Sequence, residues 1–405
     1  MDFRLTPEDE KYRQEFRAWL EKAFPKDEPP PKLDTLEAEK KAYKNYQRKL
    51  FEGGYAGIRY PKEYGGQEGT LMQQIIVNEE LTPYADAHAA SINGIGLGMA
   101  LPTINAAGTK EQKEMFIRKL LDGTYVWVQG FSEPNAGSDV ASITTRAVKK
   151  GDHYLVNGQK VWTTNAHHAD WALLLVRTNQ DKPKHRGLSY LLLDMQTPGV
   201  EVRRIKQISG EAHFNEVFLE DVEIPTNMLV GKEDEGWRVA ITTLGFERAA
   251  GDLATAYRYL DWFNRLVEMA RGIKRRGEPI LDDPAIRQRL AECYARLLML
   301  KYTGFRNAAT VESGGVPGPG GSIGKLFHST LFAKMTELAM EIQGPYHQLM
   351  KGSPQVLLDG DFQASFLMAR GSLIAAGSTE IMKNIIGERV LGLPKDMARA
   401  ALSEK

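Results

Sequence analysis

A glutamate without an obvious ion-pair partner is the first candidate for chemistry in this 405-residue sequence. Glu247 stands in "LGFERAAG", and in a helix the residues one turn away on either side of it are uncharged. The adjacent Arg248 has Asp252 at its own i+4 position, which gives the arginine a partner and leaves the glutamate without one. Such a carboxylate could accept a proton if a dry pocket raised its proton affinity. The alternative is a structural glutamate on a helix.

A second candidate is a strand followed by a turn of small and polar residues. The stretch "VQGFSEPNAGSDVAS", residues 128–142, places Pro, Asn, Gly and Ser shortly after a β-prone run. Such a turn exposes backbone N–H groups and small hydroxyls, which suit a flat heteroaromatic ligand that carries phosphates. An ordinary β-turn without a ligand is the alternative interpretation.

Three other patterns resemble known sites but do not meet their requirements. The glycines of "NGIGLGMA" follow no strand, so they indicate close helix packing rather than a dinucleotide site. In "GPGGSIGKL", Leu326 stands where a phosphate loop needs a hydroxyl, so we interpret the segment as a loop entering a helix. Three histidines lack partners at metal-ligand spacing, so they are interpreted as structural and no metal site is predicted: His167, His168 and His213.

Composition limits the classes of function. The chain has 52 Lys and Arg residues and 52 Asp and Glu residues. Its net charge is therefore close to zero, and no positive field attracts nucleic acid or an anionic membrane. The single Cys293 excludes an internal disulfide framework. The sequence begins without a basic region followed by an apolar run, and no stretch approaches a membrane span, so we expect a cytoplasmic protein.

The elements that would position these residues fall into three blocks. Residues 1–124 carry helical periodicities, beginning with Thr6 as a candidate N-cap and with apolar residues at every fourth position. Residues 125–232 contain short β-prone runs, and Asn157-Gly158 predicts a tight hairpin between two of them. Residues 233–405 predict one very long helix that ends near Gly272 and three further helices.

The predicted fold class is therefore α+β. It consists of an N-terminal helical domain, a middle antiparallel β-barrel domain and a C-terminal four-helix bundle.

With "GQKVWTTNAHHADW" one strand pair later, the turn of residues 128–142 resembles the FAD-binding β domain of the acyl-CoA dehydrogenase family. "YPKEYGG" at Tyr60, "FNEVFLEDVEIPTNMLVGKEDEGW" at Phe214 and "GSTEIMKNIIGERVLGLP" at Gly377 follow in the family's order and spacing. The resemblance covers nearly the whole chain. It implies FAD-dependent oxidation of an acyl-CoA to the trans-2-enoyl-CoA, an electron-transfer flavoprotein as acceptor, and a homotetramer or dimer.

The resemblance also assigns site residues. In the middle domain, FAD is expected to contact Gln129, Gly130, Phe131, Ser132, Ser138, Trp162, Thr163 and Thr164. In the bundle, the cofactor contacts are Ser378 and Glu380, together with Glu341 and Gly344, which match a segment that reaches the FAD of a neighbouring subunit. The substrate is expected to contact Ser138, Arg248, Ala375, Ala376 and Gly377.

The sequence departs from the family's pattern at two places. Where many relatives carry Arg-x-x-Phe-Gly, this chain has "IKRRGEP", with Ile273 and Arg276 at the Arg and Phe positions, so the usual inter-subunit clamp on FAD is missing. Where medium-chain relatives hold their catalytic glutamate in "YEG", this chain has Ala375-Ala376-Gly377. The isovaleryl and long-chain branches instead place the base on the long helix before an arginine, and "FER" matches that arrangement. The resemblance therefore identifies Glu247 as the α-proton acceptor.

Two consequences and two alternatives follow. The backbone N–H of Ala376 is still available to polarise the thioester carbonyl. The loss of Tyr and Glu side chains leaves space for a branched or bulky acyl group. An acyl-CoA oxidase of the same fold, using O₂, and a subunit of a hetero-oligomeric dehydrogenase remain alternative functions.

Overall fold

The computed structural model describes residues 5–25, 33–84, 92–312 and 320–395, without the side chains of residues 247–252, 311 and 312. The chain divides into two compact units, Met1–Glu247 and Arg248–Lys405. Within the described ranges, no helix combines the length and the apolar character that crossing a membrane requires.

Threonine caps begin several helices of the first unit. The helices are α1 (Pro7–Ala23), α2 (Leu36–Glu52), α3 (Leu71–Leu81), α4 (Leu101–Ala107) and α5 (Lys110–Leu121). At Thr6, Thr70 and Thr109, the hydroxyl accepts a hydrogen bond from the N–H three residues later, and that residue's side chain bonds back to the threonine N–H. The predicted N-cap at Thr6 is confirmed. Gly123, beyond the end of α5, has φ +77°, a conformation that favours glycine.

The "NGIGLGMA" segment packs tightly only at Gly96, because an added Cβ at Gly94 or Gly98 would meet no heavy atom within 4 Å. It forms a π-helical turn, Gly96–Ala100, directly before α4. The buried Asn93 accepts a hydrogen bond from Trp127 N at 2.8 Å and donates one to Tyr43 Oη at 2.6 Å. A Cβ on Gly96 would lie 2.0 Å from Asn93 Oδ1, so only glycine permits this approach.

A seven-stranded sheet follows the helices. Its strands are β1 (Trp127–Gly130), β2 (Arg146–Lys150), β3 (His153–Lys160), β4 (Trp171–Arg177), β5 (Leu188–Asp194), β6 (Val200–Ile205) and β7 (Phe214–Pro225). The spatial order is β1-β4-β2-β3-β7-β6, and β5 pairs with β4. The predicted middle sheet domain is therefore present.

Not all of this sheet is antiparallel, which corrects one detail of the prediction. β1 pairs with β4 in parallel, from Trp127 opposite Trp171 to Gly130 opposite Leu174, and β2 meets β4 in parallel at one residue pair. The central residues of β4, 172–176, are all buried. Continuous burial on both faces, rather than alternation, is typical of parallel strands in the centre of a sheet.

Asn157-Gly158 does not form the predicted hairpin turn. Both residues lie inside β3, and the β2–β3 hairpin turns at Gly151 instead. Gly158 stands at a register shift against β7, with φ +155°, and a Cβ there would lie 2.5 Å from Thr145 Oγ1. The glycine therefore allows a close backbone approach opposite a bulge in β7, and the dipeptide alone does not distinguish this from a turn.

The second unit is helical. Its chain order is α6 (Gly236–Arg271), which begins in the first unit, a short hairpin of β8 (Lys274–Arg275) and β9 (Glu278–Pro279), α7 (Pro284–Glu312), α8 (Gly321–Gln343), α9 (Asp361–Ser372) and α10 (Thr379–Ile385). The predicted long helix is confirmed. The short helix α9, which starts after Gly360 with φ +79°, was not predicted. Buried apolar residues join the helices, among them Leu266, Leu297, Met335, Leu338 and Phe362.

Candidate functional site

A buried carboxylate holds the turn that follows β1. Glu133 accepts hydrogen bonds from the N–H of Thr144 at 2.7 Å, from the Thr144 hydroxyl at 2.9 Å and from the N–H of Thr145 at 2.9 Å. Its backbone exchanges two hydrogen bonds of 3.0 Å with Ala136. These bonds define the base of the turn, and Ser138 beyond them is exposed.

Lys160, at the end of β3, joins this turn to the next strand. Its fully buried Nζ lies 2.8 Å from Glu133 Oε1 and donates a hydrogen bond of 3.1 Å to Phe131 O. One residue later, Val161 N donates a hydrogen bond of 2.9 Å to Ser132 O. The ends of β1 and β3 carry the two segments expected to line the flavin, and this ion pair and hydrogen bond connect them.

Burial and pairing shift the pKa of both members of this ion pair. Burial opposes ionisation of Glu133, but the Lys160 ammonium and the hydrogen bonds from Lys160, Thr145 and Thr144 outweigh it and lower the pKa to about 2. Burial lowers the pKa of Lys160 to about 8, and the attraction of Glu133 limits that fall. Both groups are therefore charged at neutral pH. Replacement of one partner alone would leave the other as a buried charge without its counter-charge.

An exposed tryptophan follows the lysine. Trp162 has φ +59°, in the left-handed region, and the residue is 58% exposed. Its ring meets Phe214 edge-on, with the ring centroids 5.9 Å apart. A strained backbone that presents a large aromatic ring to the surface is characteristic of ligand-contact positions.

Thr163 carries a buried hydroxyl that lacks a partner. Its backbone is held by Asn215, which accepts from Thr163 N at 3.0 Å and donates from Nδ2 to Thr163 O at 2.8 Å. Its Oγ1 is buried and makes no hydrogen bond. Buried hydroxyls are rarely left unpaired, so a ligand at this position would satisfy it. The next residue, Thr164, is half-buried.

The remaining predicted cofactor residues of the first unit lie on β1 and at its end. Gln129 is half-buried, and Gly130 is buried so closely that a Cβ would lie 3.2 Å from Leu174 Cδ1. The buried ring of Phe131 meets Tyr190 edge-on at 5.7 Å between centroids. The structure thus places the middle-domain candidates on β1, in the turn that follows it and directly after β3, and the bonds of Lys160 and Val161 link the ends of these two strands.

In the second unit, Glu341 has a partner within its own chain. Its carboxylate forms an ion pair with Arg289, and its backbone oxygen accepts a hydrogen bond of 2.7 Å from Arg275. Gly344 ends α8 with φ +57°. Arg275 lies in the "IKRRGEP" segment that replaces the family's clamp motif. The predicted reach of Glu341 and Gly344 towards a neighbouring subunit stays a prediction.

The residues expected to meet the thioester form the turn between α9 and α10. Ala376 has φ +56° and Gly377 has φ +96°, so an alanine occupies the left-handed region directly before a glycine. Ser378 caps α10 by accepting a hydrogen bond of 3.3 Å from Ile381 N. Backbone hydrogen bonding at the helix start and the Ser378 hydroxyl lower the pKa of Glu380.

Glu247 lies on α6, whose backbone is continuous through this residue, as the sequence predicted. The side chains of Glu247, Arg248 and Asp252 are outside the described part of the structure. Their predicted roles therefore remain predictions.

The histidines have structural contacts. His168 Nε2 lies 2.8 Å from Glu39 Oε2, and His167 Nδ1 lies 2.9 Å from Asn215 Oδ1. Throughout the described residues, no group of three or more His, Cys, Asp or Glu side chains is arranged to hold a metal ion.

The Glu133–Lys160 pair was not predicted from the sequence. A signal was available. Lys160 shares the two-residue period of Tyr154 and Val156, whose side chains are buried, so the alternation of β3 directs a lysine inward. A buried lysine requires an acidic partner, and a nearby glutamate in a turn was the candidate.

Family models match almost the whole length of the chain. They are the N-terminal domain of acyl-CoA dehydrogenase over residues 6–124, the middle domain over residues 129–222 and the C-terminal domain over residues 234–391.

Individual relatives agree with these matches. Acyl-CoA dehydrogenase IpdE1 of Mycobacterium tuberculosis is 38% identical over 356 residues, which are 87% of this chain and 88% of the relative. Acyl-CoA dehydrogenase FadE29 of the same organism is 32% identical over 399 residues, covering 96% and 98% of the two chains.

Solved structures share the fold along the full chain. A chain of the ChsE4-ChsE5 complex from Mycobacterium tuberculosis superposes with a TM-score of 0.81 at 30% identity, covering 98% of this chain and all of that one. A chain of the Tcur3481-Tcur3483 steroid ACAD gives a TM-score of 0.83 at 25% identity, with the same coverage. With a helical N-terminal domain, a middle sheet domain and a helical C-terminal domain in chain order, the chain belongs to the acyl-CoA dehydrogenase family of flavin-dependent oxidoreductases.

Proposed function

We propose that this protein oxidises a branched or bulky acyl-CoA to the trans-2-enoyl-CoA with FAD as its cofactor. The observation that carries the proposal is the arrangement at the ends of β1 and β3. There an exposed indole at Trp162 and the unpaired, buried hydroxyl of Thr163 stand beside the turn held by Glu133 and Lys160. These residues fit a flat heteroaromatic ring with polar edges.

FAD, when bound, supplies a hydride acceptor for the substrate's β-carbon. Around it, Gln129 to Ser132 would line the ring, Trp162 and Thr164 would contact it from the other side, and Ser138 would lie near the pyrophosphate and the substrate. The Ser132 hydroxyl replaces the threonine that relatives usually carry. Ser378 and Glu380 would contact the same cofactor.

The chain's own residues perform the proton chemistry. Glu247 accepts the α-proton of the thioester, and the N–H of Ala376 donates a hydrogen bond to the carbonyl oxygen as negative charge develops there. Arg248 contributes to the substrate side or pairs with Asp252. These roles follow from the resemblance and from the helical position of Glu247.

Two observations support a bulky acyl group. Ala375-Ala376 replaces two large side chains in the segment expected to adjoin the first carbons of the acyl chain. The relatives include a steroid ACAD and a cyclohexane-1-carbonyl-CoA dehydrogenase of Geobacter metallireducens, 26% identical over 347 residues. We therefore propose a short branched, ring-bearing or sterol side-chain acyl group.

A hetero-oligomer is the second candidate for the assembly, beside a homotetramer or homodimer. One structural relative is named as the ChsE4-ChsE5 complex, and a second, the Tcur3481-Tcur3483 steroid ACAD, carries a paired name. The absence of the family's Arg-x-x-Phe-Gly motif favours a partner that supplies part of the FAD site. An electron-transfer flavoprotein is the proposed electron acceptor.

Anaerobic bleaching of the bound flavin tests the function. The purified yellow protein is mixed with straight, branched, ring-bearing and sterol side-chain acyl-CoA thioesters, and loss of the flavin absorbance is followed. We expect bulky thioesters, compared at equal concentration, to bleach it fastest. If straight medium chains are clearly best, the bulky assignment is wrong. If none bleaches a protein that holds FAD, the dehydrogenase and the oxidase assignments both fail. If a thioester does bleach the flavin, rapid formation of hydrogen peroxide when air is admitted would identify an oxidase.

A further inference from the structure

A buried lysine contacts the turn that is expected to hold the thioester. Lys325 lies on α8 and is 4% exposed. Its Nζ donates a hydrogen bond of 2.6 Å to the carbonyl oxygen of Gly377. Burying an ammonium group is costly unless strong hydrogen bonds compensate. The lysine belongs to "GSIGKL", which resembles a phosphate loop but has Leu326 in place of the required hydroxyl. Phosphate binding therefore does not explain why this lysine is buried.

The contacted turn has an unfavourable backbone conformation. Ala376 has φ +56°, in the left-handed region, which is unfavourable for a residue with a Cβ. Gly377 follows at φ +96°, and a Cβ there would lie 2.4 Å from Met382 Cε. Such conformations persist only where the surrounding structure over-determines them.

Hydrogen bonds within the α9–α10 segment restrain both ends of this turn. Ala375 N donates to Gly371 O at 2.9 Å, and Thr379 N donates to Leu373 O at 3.1 Å. Lys325 differs from these groups because it reaches the middle of the turn from another helix. Its hydrogen bond fixes the peptide that follows Gly377, and therefore restricts the rotations available to Ala376.

We propose that Lys325 is a positioning residue that keeps the N–H of Ala376 directed at the thioester carbonyl. This inference depends on the proposed function, because it assigns Ala376 the carbonyl contact. Without the lysine, Ala376 relaxes towards negative φ, and its N–H rotates away from the carbonyl. A misdirected oxyanion donor lowers kcat more than it raises KM, because the hydrogen bond strengthens in the transition state.

The test compares the same substitution at two positions of α8. Lys325→Met removes the donor and the charge but keeps an unbranched side chain of similar length. Lys334→Met changes an exposed lysine of the same helix and is the matched control. Lys325→Arg retains a charged donor and should restore part of the effect. FAD content, thermal unfolding, kcat and KM are measured for each variant.

Carbonyl polarisation is read directly from a chromophoric ligand. The probe is 4-(dimethylamino)cinnamoyl-CoA, an electron-rich conjugated thioester whose absorption moves to longer wavelength when its carbonyl is polarised. We expect the wild type and Lys334→Met to red-shift the bound probe equally, and Lys325→Met to shift it clearly less. With the best substrate, kcat of Lys325→Met should fall about 10- to 100-fold, with little change in KM.

The outcomes separate this inference from the proposed function. The inference is overturned if Lys325→Met holds FAD, shifts the absorption of the bound probe as far as the wild type does and keeps the wild-type kcat. This holds even if the wild type oxidises acyl-CoA. A wild type that no thioester bleaches overturns the proposed function itself, whatever the variants do. If Lys325→Met does not fold, Lys325→Gln takes its place, since this polar side chain is too short to reach Gly377. A full probe shift in Lys325→Gln then rejects the role.

Discussion

Glu247 is the side chain whose replacement bears most directly on the proposed reaction. Glu247→Gln is nearly isosteric and removes only the proton acceptor, so FAD and substrate binding should persist while flavin reduction is lost. Rapid-mixing absorbance measures the reduction rate. Retention of more than about a tenth of the wild-type rate, a difference under roughly 1.4 kcal/mol, would return Glu247 to the structural interpretation.

A second glutamate of α6 serves as the control. Glu268 forms an ion pair with Arg271 at 2.8 Å near the end of the helix. Glu268→Gln should reduce flavin at the wild-type rate, because its carboxylate has a surface partner and no role in the reaction. Equal losses in the two variants would point to a general effect on the helix.

The Glu133–Lys160 pair supports a prediction about stability. Lys160→Met leaves a buried carboxylate without its counter-charge, so we expect the free energy of unfolding to fall by about 3 to 5 kcal/mol. The double variant Lys160→Met/Glu133→Gln removes both charges and should recover most of that loss. Urea unfolding followed by circular dichroism, with FAD retention measured by gel filtration, checks both variants. A double variant less stable than Lys160→Met alone would contradict this account.

The same pair predicts a pH dependence. The pKa of Glu133 is lowered to about 2 in the folded protein, so below its ordinary value of 4.5 the unfolded chain binds a proton that the folded chain does not. The stability from Glu133 is therefore complete above pH 4.5 and is lost as the pH falls towards 2, at up to about 1.4 kcal/mol per pH unit. Unfolding free energies from pH 6 to 3 should fall more steeply for the wild type than for the double variant. Parallel curves would count against the assignment.

At the scale of elements, the helices could be predicted from the sequence, whereas the turn near Gly158 could not. Helices were predictable, because capping threonines and apolar spacing agree, and α6 is continuous from Gly236 to Arg271. The position of the β2–β3 turn was not predictable. An Asn-Gly dipeptide occurs in turns and at bulges, and here it lies at a register shift inside β3. The Glu133–Lys160 contact was missed for a related reason, because it joins residues 27 positions apart.

Two glycines of the same strand region test the role of the bulge. Gly158→Ala would place a Cβ 2.5 Å from Thr145 Oγ1 and 2.7 Å from its Cα, so we expect a loss of more than about 2 kcal/mol. Gly151→Ala, at φ +63° with no heavy atom within 4 Å of the added Cβ, should cost only roughly 1 kcal/mol. Thermal unfolding compares the two. A smaller loss of stability from Gly158→Ala than from Gly151→Ala would show that β3 moves away from Thr145 at little cost.

At the scale of the whole molecule, the second unit exposes large apolar side chains. Ile374, Leu391 and Leu393 are all more than half exposed, which is typical of an interface. The domain division 1–124, 125–232 and 233–405 would place all three in the C-terminal domain, to which we assign the oligomer contacts.

Charge on that surface should disrupt the assembly. Leu391→Glu is expected to lower the mass measured by analytical ultracentrifugation, because burying a carboxylate in an apolar interface is unfavourable. Ile208→Glu changes an exposed isoleucine of the first unit and should leave the mass unchanged. An unaltered mass in both variants would place the interface elsewhere.

The exposure of Trp162 gives the protein a built-in optical reporter. Of the six tryptophans, all of which the structure describes, Trp162 is the one whose ring is mostly open to water. In the protein without flavin its emission should be red-shifted and readily quenched by acrylamide. Loading with FAD would place an energy acceptor beside this indole, so fluorescence would fall as the cofactor enters and could follow the kinetics of holoenzyme formation.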